Sequence, residues 1–194
     1  MYHIKNDKRS IQSSEFIYEA LKQLMLEKKY AEITVTELVN QAKIGRSTFY
    51  RNFDSIEDVL SYKSDQSYTE CGEYLLRVLS SYAQKETPQR SFFLPFFRYW
   101  YSHFEVIEQL ILIGREDILK RSFVKMVDDL RSQYPEVTIE YYDYFLEMRA
   151  ATSIALLTQW VKSNRKETPE DLYVIFHKQT DIDQYLFDMA RYLL

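Results

Sequence analysis

The chain has 194 residues and a formal net charge of −4 at pH 7, with 46% hydrophobic residues but only 3 glycines and 4 prolines. This composition is ordinary for a globular protein of one large or two small domains. So few breakers, and no long alternating pattern, argue against a β-rich fold and predict an all-α one. The negative charge does not by itself indicate a nucleic-acid partner, although a local cluster of cations can still form a binding face.

Two further classes are excluded by what the sequence lacks. No apolar run approaches the roughly 18 residues of a membrane span. The polar N-terminus does not look like a signal peptide, so we expect a cytoplasmic protein with no membrane partner. The single Cys71 cannot form an intramolecular disulfide. A small packed side chain is its simpler interpretation, and a redox sensor is the alternative.

Signatures of catalysis are also missing. The three glycines, at positions 45, 72 and 114, cannot make a glycine-rich phosphate loop, and there is no G-x-S-x-G elbow. His3, His103 and His177 are far apart in sequence, and no histidine–cysteine pair has the spacing of metal ligands. The sequence therefore predicts that the protein is not an enzyme and has no metal site and no cofactor.

Residues 1–9 are polar and include Lys5, Lys8 and Arg9. They are interpreted either as a frayed terminus or as a basic arm that contacts phosphate or enters a minor groove. A first helix is predicted from about residue 9 or 10 to Lys28, because apolar residues recur there at helical spacing. These residues are Ile17, Ala20, Leu21, Leu24 and Met25.

Residues 34–53 read T-V-T-E-L-V-N-Q-A-K-I-G-R-S-T-F-Y-R-N-F and predict two short helices joined by a tight turn. Thr34 and Glu37 have the spacing of a capping box, which marks the start of the first of these helices. Gly45 is expected to supply the backbone freedom that a sharp turn needs.

The second of these helices, predicted over about residues 46–52, has two different faces. Phe49 and Phe53 are expected to point inward, while the outward residues can all donate hydrogen bonds and none is acidic. A short helix with an apolar back and a neutral-to-basic donor front suits the major groove of DNA.

The segment from about residue 11 to residue 60 resembles the DNA-binding domain of the TetR (tetracycline-repressor-like) family of bacterial transcription regulators. Its most specific part is the T-F-Y-x-x-F core followed by an acidic helix start. The chain departs from the family pattern in having Lys43 where glycine is usual, Gly45 where serine is usual, and Ile56 where lysine is frequent.

From this pattern we predict which residues contact DNA. Arg46, Ser47 and Thr48 are expected at base edges, which carry the sequence information. The residues expected on phosphates are Thr36, Lys43, Tyr50, Arg51 and Asn52.

A long helix is predicted next. Asp54 is interpreted as its N-cap, and the helical pattern continues from residue 55 to about residue 84 without a breaker. At that length the helix belongs both to the DNA-binding domain and to the C-terminal part of the chain, so we expect it to act as a lever between them. Gly72 is a candidate point for a bend.

The remaining residues predict further helices. Thr87-Pro88 is expected to begin one, with Pro95 as a possible kink inside it. The other predicted segments are 104–113 closed by Gly114, 116–134, 138–163, 168–178 capped by Thr168, and 181–194. Residues 160–172 are similar to the C-terminal part of one subgroup of TetR-like regulators, and this resemblance implies that two late helices pair with their twins in a homodimer.

The aromatic segment 92–104 is the main candidate for an effector pocket, since the resemblance implies a small molecule bound between C-terminal helices. The predicted pocket residues are Phe93, Phe96, Phe97, Trp100, His103, Phe104 and Arg149. The alternative is that these residues fill a core. Arg149, set among apolar residues, needs an acidic partner or a ligand anion. Ala151, Ala155 and Trp160 are the candidates for the dimer interface.

The sequence thus predicts an all-α protein with a helix-turn-helix DNA-binding domain in residues 1–54 and a helical effector and dimerisation domain in residues 55–194. The predicted function is a homodimeric regulator, a repressor released from a double-stranded DNA operator by a small apolar or aromatic effector. The alternative is a helical module that works through a protein partner and binds no small molecule.

Overall fold

Helices form almost all of the regular structure. The computed structural model describes residues 1–83, 92–134, 136 and 138–178 of the chain. The helices are α1 (Lys8–Glu27), α2 (Val35–Gln41), α3 (Arg46–Asn52), α4 (Ile56–Ala83), α5 (Phe93–Ser102), α6 (Glu105–Leu112), α7 (Glu116–Ser132), α8 (Tyr142–Lys162) and α9 (Pro169–Lys178). Within these residues the β structure is limited to one isolated bridge between Tyr2 and Phe53. The all-α prediction is confirmed.

The first three helices form a small head around the buried stripe of α1. Asp7 caps α1 by accepting hydrogen bonds from the backbone N–H groups of Arg9 and Ser10. Ile17 and Leu21 are completely buried where α1 packs against α2 and α3. The three helices stabilise one another by burying this apolar stripe, because isolated helices as short as these are only marginally stable.

Helix α4 extends from the head into the rest of the chain. It contains 28 residues, so it is about 42 Å long at 1.5 Å per residue. Its cap is Ser55: the Ser55 hydroxyl accepts from the Asp58 N–H at 3.3 Å, and the Asp58 carboxylate accepts from the Ser55 N–H at 2.8 Å. The prediction of Asp54 as the cap was therefore wrong by one residue. Helix α4 packs against α1 at one end and against α5, α6 and α7 further along.

Gly72 does not interrupt α4, which is continuous through it. It lies instead where α7 comes close, since a Cβ atom at this position would meet the Cγ of Met126 at 3.2 Å. Gly72 thus has a packing role, in which the absence of a side chain lets two helices approach.

Two other local expectations change further along the chain. Pro95 lies in the first turn of α5, where a backbone N–H has no partner within the helix, so it produces no kink. Helix α8 begins at Tyr142 and not near residue 138, after Tyr141 in a left-handed conformation with φ of 51°. The predicted helix starts at Thr87-Pro88 and at residue 181 lie outside the described residues.

Several predicted boundaries are confirmed. Gly114 ends α6 at a φ of 69°, a conformation that glycine adopts at low cost. Thr168 caps α9 together with Asp171, whose carboxylate accepts from the Thr168 N–H at 3.0 Å. The sequence predicted the end of α6 and the start of α9 correctly because each signal lies within a few residues of the boundary.

Aromatic side chains fill the centre of the larger helical layer. Phe96, Phe97 and Trp100 on α5 are fully buried, and Trp100 packs on Tyr68 of α4 with ring centroids 4.6 Å apart. Cys71 is buried in the same region, and burial raises the pKa of its thiol well above the usual value. A buried, neutral thiol supports the interpretation of Cys71 as a packed side chain. No helix in the described ranges combines the length and the apolarity that a membrane crossing needs.

One polar cluster ties three parts of the fold together. The Asp65 carboxylate on α4 accepts hydrogen bonds from the Tyr2 hydroxyl at 2.5 Å and from the Ser122 hydroxyl of α7 at 2.5 Å. It also pairs with the Lys125 ammonium of α7 at 2.9 Å. Burial by itself raises the pKa of Asp65, but these three donors outweigh it and hold the pKa below the ordinary value. The charged carboxylate is thus the form that the fold stabilises.

We expect Asp65→Asn to lower the free energy of unfolding at pH 7 by about 1–3 kcal/mol, since an amide cannot accept all three hydrogen bonds. A carboxyl group whose pKa is lowered on folding stabilises the fold above its unfolded pKa, and this contribution is lost as the pH falls through the folded pKa. The difference in free energy of unfolding between the native protein and the variant should therefore become smaller below pH 3.8, the ordinary pKa of an aspartic acid.

Urea unfolding of both proteins across this pH range measures the effect. Asp129→Asn, an exposed position on α7, is the matched control and should differ little from the native protein. A deficit that stays constant from pH 7 to pH 3 would contradict the role given to the Asp65 charge.

Candidate functional site

The two short helices of the head are fixed by local hydrogen bonds. Thr34 and Glu37 form the predicted capping box at the start of α2, with the Thr34 N–H donating to the Glu37 carboxylate at 2.9 Å. Glu37 also pairs with Lys28 at the end of α1. These interactions, the Lys28 contact first, lower the pKa of Glu37 to about 2. The carboxylate therefore stays charged at neutral pH and links α1 to α2.

The turn between α2 and α3 differs from the prediction. Lys43 adopts the left-handed conformation, with φ of 54°, while Gly45 has an ordinary extended backbone with φ of −79°. The Ile44 N–H donates to the Val39 carbonyl at 3.0 Å, which closes the end of α2 as a Schellman motif. A lysine at this position costs about 1 kcal/mol relative to glycine.

The back of α3 is held by aromatic packing. Phe49 and Phe53 are fully buried, as predicted, and their ring centroids are 5.9 Å apart. Phe53 also contacts Tyr62 of α4 at 6.0 Å, and Tyr62 in turn contacts Tyr2 at 5.3 Å. This cluster anchors α3 so that its opposite face remains free for another molecule.

The front of α3 presents most of the predicted contact residues to solvent. Thr48 is partly buried, and the exposed members of the set are Thr36, Lys43, Arg46, Ser47, Tyr50 and Arg51. The Arg46 guanidinium donates to the Thr36 hydroxyl, which brings the start of α3 against α2. These side chains form one donor-rich surface with no carboxylate on α3 itself.

Asn52 is the exception, and its prediction as a phosphate contact is corrected. Its side chain is 1% exposed. Its amide N–H donates to Ser13 at 3.0 Å, its amide oxygen accepts from Ser10 at 3.0 Å, and its backbone carbonyl accepts from the His3 N–H at 2.8 Å. Asn52 therefore joins α3 to α1 and to the N-terminal segment. Its spacing of three residues from Phe49 was the sequence signal for an inward position.

The N-terminal segment, residues 1–7, is packed against the end of α3 and is not frayed. The Asp54 N–H donates to the Met1 carbonyl at 3.1 Å, and Tyr2 is partly buried. Lys5, together with Arg9 of α1, borders the same surface depression as Arg51. Sequence reasoning did not group these three cations, because they meet only in the folded head.

An apolar cavity lies between α5, α7 and α8, with a volume of about 340 Å³. Of the predicted pocket residues, Phe93 and Arg149 line it. Phe96, Phe97 and Trp100 belong to the buried core. His103 is exposed and stacks on Tyr99, while Phe104 packs against Arg165. These five assignments are corrected, because a helix in a packed layer turns only part of its aromatic stripe towards any one cavity.

The residues that sequence reasoning missed come mainly from α7 and α8. The cavity lining is completed by Phe92, Phe123, Val127, Leu130, Arg131, Tyr134, Ile139, Tyr142, Phe145 and Leu146. Tyr142, Phe145 and Arg149 are spaced by three and four residues, so the helical period offered a signal that they share a face.

The three candidate interface residues on α8 divide into two groups. Ala151 and Ala155 are exposed, on the same face as Tyr144 and Met148. Trp160 is only 2% exposed, and its indole N–H donates to the Glu167 carbonyl at 3.0 Å. Trp160 is therefore a core residue of its own chain and is withdrawn from the interface prediction. Among the described residues, no group of three or more histidines, cysteines or carboxylates is placed to hold a metal ion.

Residues 17–62 match the family model for bacterial regulatory proteins of the tetR family. Over these residues the chain carries the N-terminal domain that the TetR-family model describes. The matched region covers most of α1, all of α2 and α3, and the first residues of α4, which are the elements that build the donor-rich surface described above.

One relative is described as a transcription regulator. The chain is 37% identical over 65 residues to a Lactococcus lactis protein described as the HTH-type dhaKLM operon transcriptional activator DhaS. This match spans 34% of the chain and 35% of that relative, about a third of each.

Two solved structures share the fold over most of the chain. Lin0861 from Listeria innocua aligns with a TM-score of 0.68 at 16% identity, over 99% of this chain and 96% of that one. A protein from Streptococcus agalactiae described as a TetR transcriptional regulator aligns with a TM-score of 0.55 at 21% identity, over 88% and 95%. At these identities the likeness concerns the fold alone.

We expect Asn52→Ala to lower the free energy of unfolding by about 1–3 kcal/mol, because the buried Ser10 hydroxyl and the partly buried Ser13 hydroxyl each lose a hydrogen-bond partner. Arg51→Ala, its exposed neighbour, should change stability by less than about 0.5 kcal/mol. Urea unfolding of the two variants measures both. If Asn52→Ala were as stable as the native protein but bound DNA weakly, the buried role assigned to Asn52 would be wrong.

Proposed function

We propose that the protein is a sequence-specific DNA-binding transcription regulator. The observation that carries this proposal is the exposed donor face of α3, anchored from behind by Phe49 and Phe53. A rigid short helix with arginine, serine and threonine in its first turn can present those side chains to base edges in a major groove. The match of residues 17–62 to the TetR-family model supports the same function, since TetR-family regulators are DNA-binding transcription regulators.

The contacts divide by location on the head. Arg46, Ser47 and Thr48 lie at the start of α3 and are proposed for base edges. The remaining contacts are proposed for phosphates, which position the head without reading sequence. They are Thr36, Lys43, Tyr50 and Arg51, joined by Lys5 and Arg9 because these two border one depression with Arg51.

We propose that the regulator is a homodimer that binds a near-palindromic operator. The support is the exposed stripe Tyr144, Met148, Ala151 and Ala155 on α8, whose members are spaced by four, three and four residues along one helix face. Small residues let a second helix approach closely, and the large apolar ones give it surface to bury. The two copies of α3 would then enter major grooves about 34–36 Å apart.

Control by a small molecule is proposed for the cavity between α5, α7 and α8. Helix α7 supplies Phe123 to the cavity wall and, at the neighbouring position, Ser122 to the Asp65 cluster of α4. A ligand that shifts α7 therefore acts on the helix that leads into the head. A change in DNA affinity requires such a connection between the ligand site and the head, with two alternative arrangements of the helices.

Repression is the simpler direction to propose, because a dimer bound over a promoter blocks it without contacting polymerase. DhaS, the relative in Lactococcus lactis, is described as an activator. A reporter fused to the selected operator, compared with and without the protein, decides between the two: repression predicts higher expression when the protein is absent.

A second candidate function is control by a protein partner. It is favoured by an exposed apolar patch where Leu26 at the end of α1 and Leu112 of α6 are 82% and 69% exposed. These residues border a shared depression with Met25 and Ile113. Such a patch is typical of a contact surface between proteins.

Selection of bound sequences from a random duplex pool at moderate salt tests the main proposal. We expect enrichment of a two-fold symmetric motif, with affinity that falls steeply as salt rises because phosphate contacts release counterions. No enrichment and no salt-dependent binding would reject the DNA-binding proposal and favour the protein-partner function.

Two variants of the turn and α3 separate base contacts from phosphate contacts. We expect Arg46→Ala to lose about 1–3 kcal/mol of discrimination at one position of the motif. Lys43→Gly should weaken binding to all sequences alike and lower the salt dependence, while the fold keeps or gains stability because glycine suits the left-handed backbone.

Both effects are measured by titrating each variant against the selected motif and against single-base variants of it. Lys29→Ala, which removes an exposed cation of the head outside the proposed contacts, is the matched control and should bind like the native protein. Equal losses on every sequence for Arg46→Ala and Lys43→Gly would contradict the division into base and phosphate contacts.

A further inference from the structure

The cavity between α5, α7 and α8 is apolar almost everywhere, and the exception is informative. Aromatic and aliphatic side chains from the three helices form its walls, and the charged residues on its lining are Arg131 and Arg149. Its volume of about 340 Å³ is at the small end of the range for ligand pockets, about 300–1,000 Å³. The cavity thus suits a small, mostly apolar molecule. The positive charges of the two arginines decide which charge that molecule can carry.

Arg149 is held by aromatic rings alone among the described residues. Its guanidinium carbon lies 5.7 Å from the ring centre of Phe93, 5.8 Å from that of Phe145 and 5.7 Å from that of Phe176. These rings stabilise the positive charge through their faces. They do not satisfy the five N–H donors in the plane of the group, which need hydrogen-bond acceptors.

No carboxylate within the described parts of the chain pairs with Arg149, although the protein pairs many of its other cations. Arg115 contacts Asp117 at 2.7 Å, and Arg165 contacts Glu108 at 2.8 Å. Arg149 is partly buried, so its charge is less well hydrated than those of exposed arginines. A partly desolvated guanidinium with open donors, facing an apolar cavity, is a site for an anion.

Arg131 is engaged differently. Its guanidinium carbon lies 3.8 Å from the ring centre of Tyr142, and the Tyr142 hydroxyl donates to Asp128 at 2.7 Å. Burial and the Asp128 contact raise the pKa of Tyr142 to about 12, so the phenol stays neutral at physiological pH. Arg131 therefore has a role at the rim of the cavity within the protein, and Arg149 remains the cation that a ligand would neutralise.

We propose that the cavity binds a small apolar monocarboxylate, whose carboxylate pairs with the Arg149 guanidinium and whose hydrocarbon or aromatic part fills the space between α5, α7 and α8. The planar fork of an arginine matches a carboxylate with two parallel hydrogen bonds. This inference rests on the proposed control by a small molecule and specifies the chemical class of that molecule.

Binding is tested with pairs of probes that differ only in charge. Octanoate is compared with octanamide, and 4-phenylbutyrate with 4-phenylbutyramide, by calorimetric titration and thermal shift on the full chain. For the native protein we expect at least one carboxylate to bind about 10- to 100-fold more tightly than its amide, as for a hydrogen bond to a charged group. No preference in either pair would overturn the proposal.

Arg149→Met separates the arginine from the shape of the cavity. Methionine keeps an unbranched apolar stem among the three rings, so we expect the preference for carboxylate over amide to disappear while the amide binds as before. Arg77→Met, an exposed position on α4 outside the cavity, is the matched control and should keep the preference. A preference that survives in Arg149→Met would overturn the assignment.

The stability of the unliganded variant gives an independent readout. If a ligand is the natural partner of Arg149, removal of the charge should leave the melting temperature unchanged or raise it. A fall of several degrees would show that contacts within the protein, the three rings included, already compensate the Arg149 charge without a ligand, which overturns the proposal.

DNA binding is measured in parallel, so that a failure of the ligand proposal can be distinguished from a failure of the DNA-binding proposal. A native protein that binds its motif but shows no carboxylate preference rejects the ligand class and leaves the DNA-binding function intact. Carboxylate binding that depends on Arg149 but does not alter DNA affinity supports the ligand class and rejects control of DNA binding by this cavity.

Discussion

The Asp65 carboxylate imposes a constraint on which much of the arrangement depends. A partly buried carboxylate is costly unless donors surround it, and the donors here come from separate parts of the chain: Tyr2, Ser122 and Lys125. All three must be in place together for the charge to be tolerated. The N-terminal segment, α4 and α7 are therefore held in one arrangement, and a displacement of any of them leaves the carboxylate short of a partner.

This constraint connects the cavity to α3. Helix α7 has the cavity residues Phe123 and Val127 beside the Asp65 donors Ser122 and Lys125. The N-terminal segment continues the connection, since Tyr2 forms a bridge to Phe53 at the end of α3. A rearrangement of α7 thus reaches α3 both through α4 and through the N-terminal segment. Packed elements of this kind switch between discrete arrangements more readily than they deform.

Sequence-based prediction succeeded for features set by residues close together in the sequence, and it failed for features set by contacts between distant residues. The bounds of α3, the cap at Thr34 and the end of α6 at Gly114 depend on residues within a few positions, and the sequence predicted them correctly. Trp100 and Trp160 were assigned to a pocket and an interface, but both are buried in the core. The residue type shows that such side chains are large and apolar. The surface that buries them is formed by helices distant in sequence, which the residue type does not reveal.

The same distinction separates structural from functional polar residues. Asn52 looked like a DNA contact by type, yet every partner of its amide lies inside the chain, so its polarity serves the fold. Lys43 and Arg149 show the opposite pattern: one occupies a left-handed backbone position, and the other is surrounded by rings without an acceptor among the described residues. The backbone placement of Lys43 costs stability, and the rings around Arg149 leave its N–H donors without acceptors. A charge kept where the local rules disfavour it, with its donors still open, is a stronger sign of a ligand than a charge on an ordinary surface. The ligand that we propose is a phosphate of DNA for Lys43 and the carboxylate of a small molecule for Arg149.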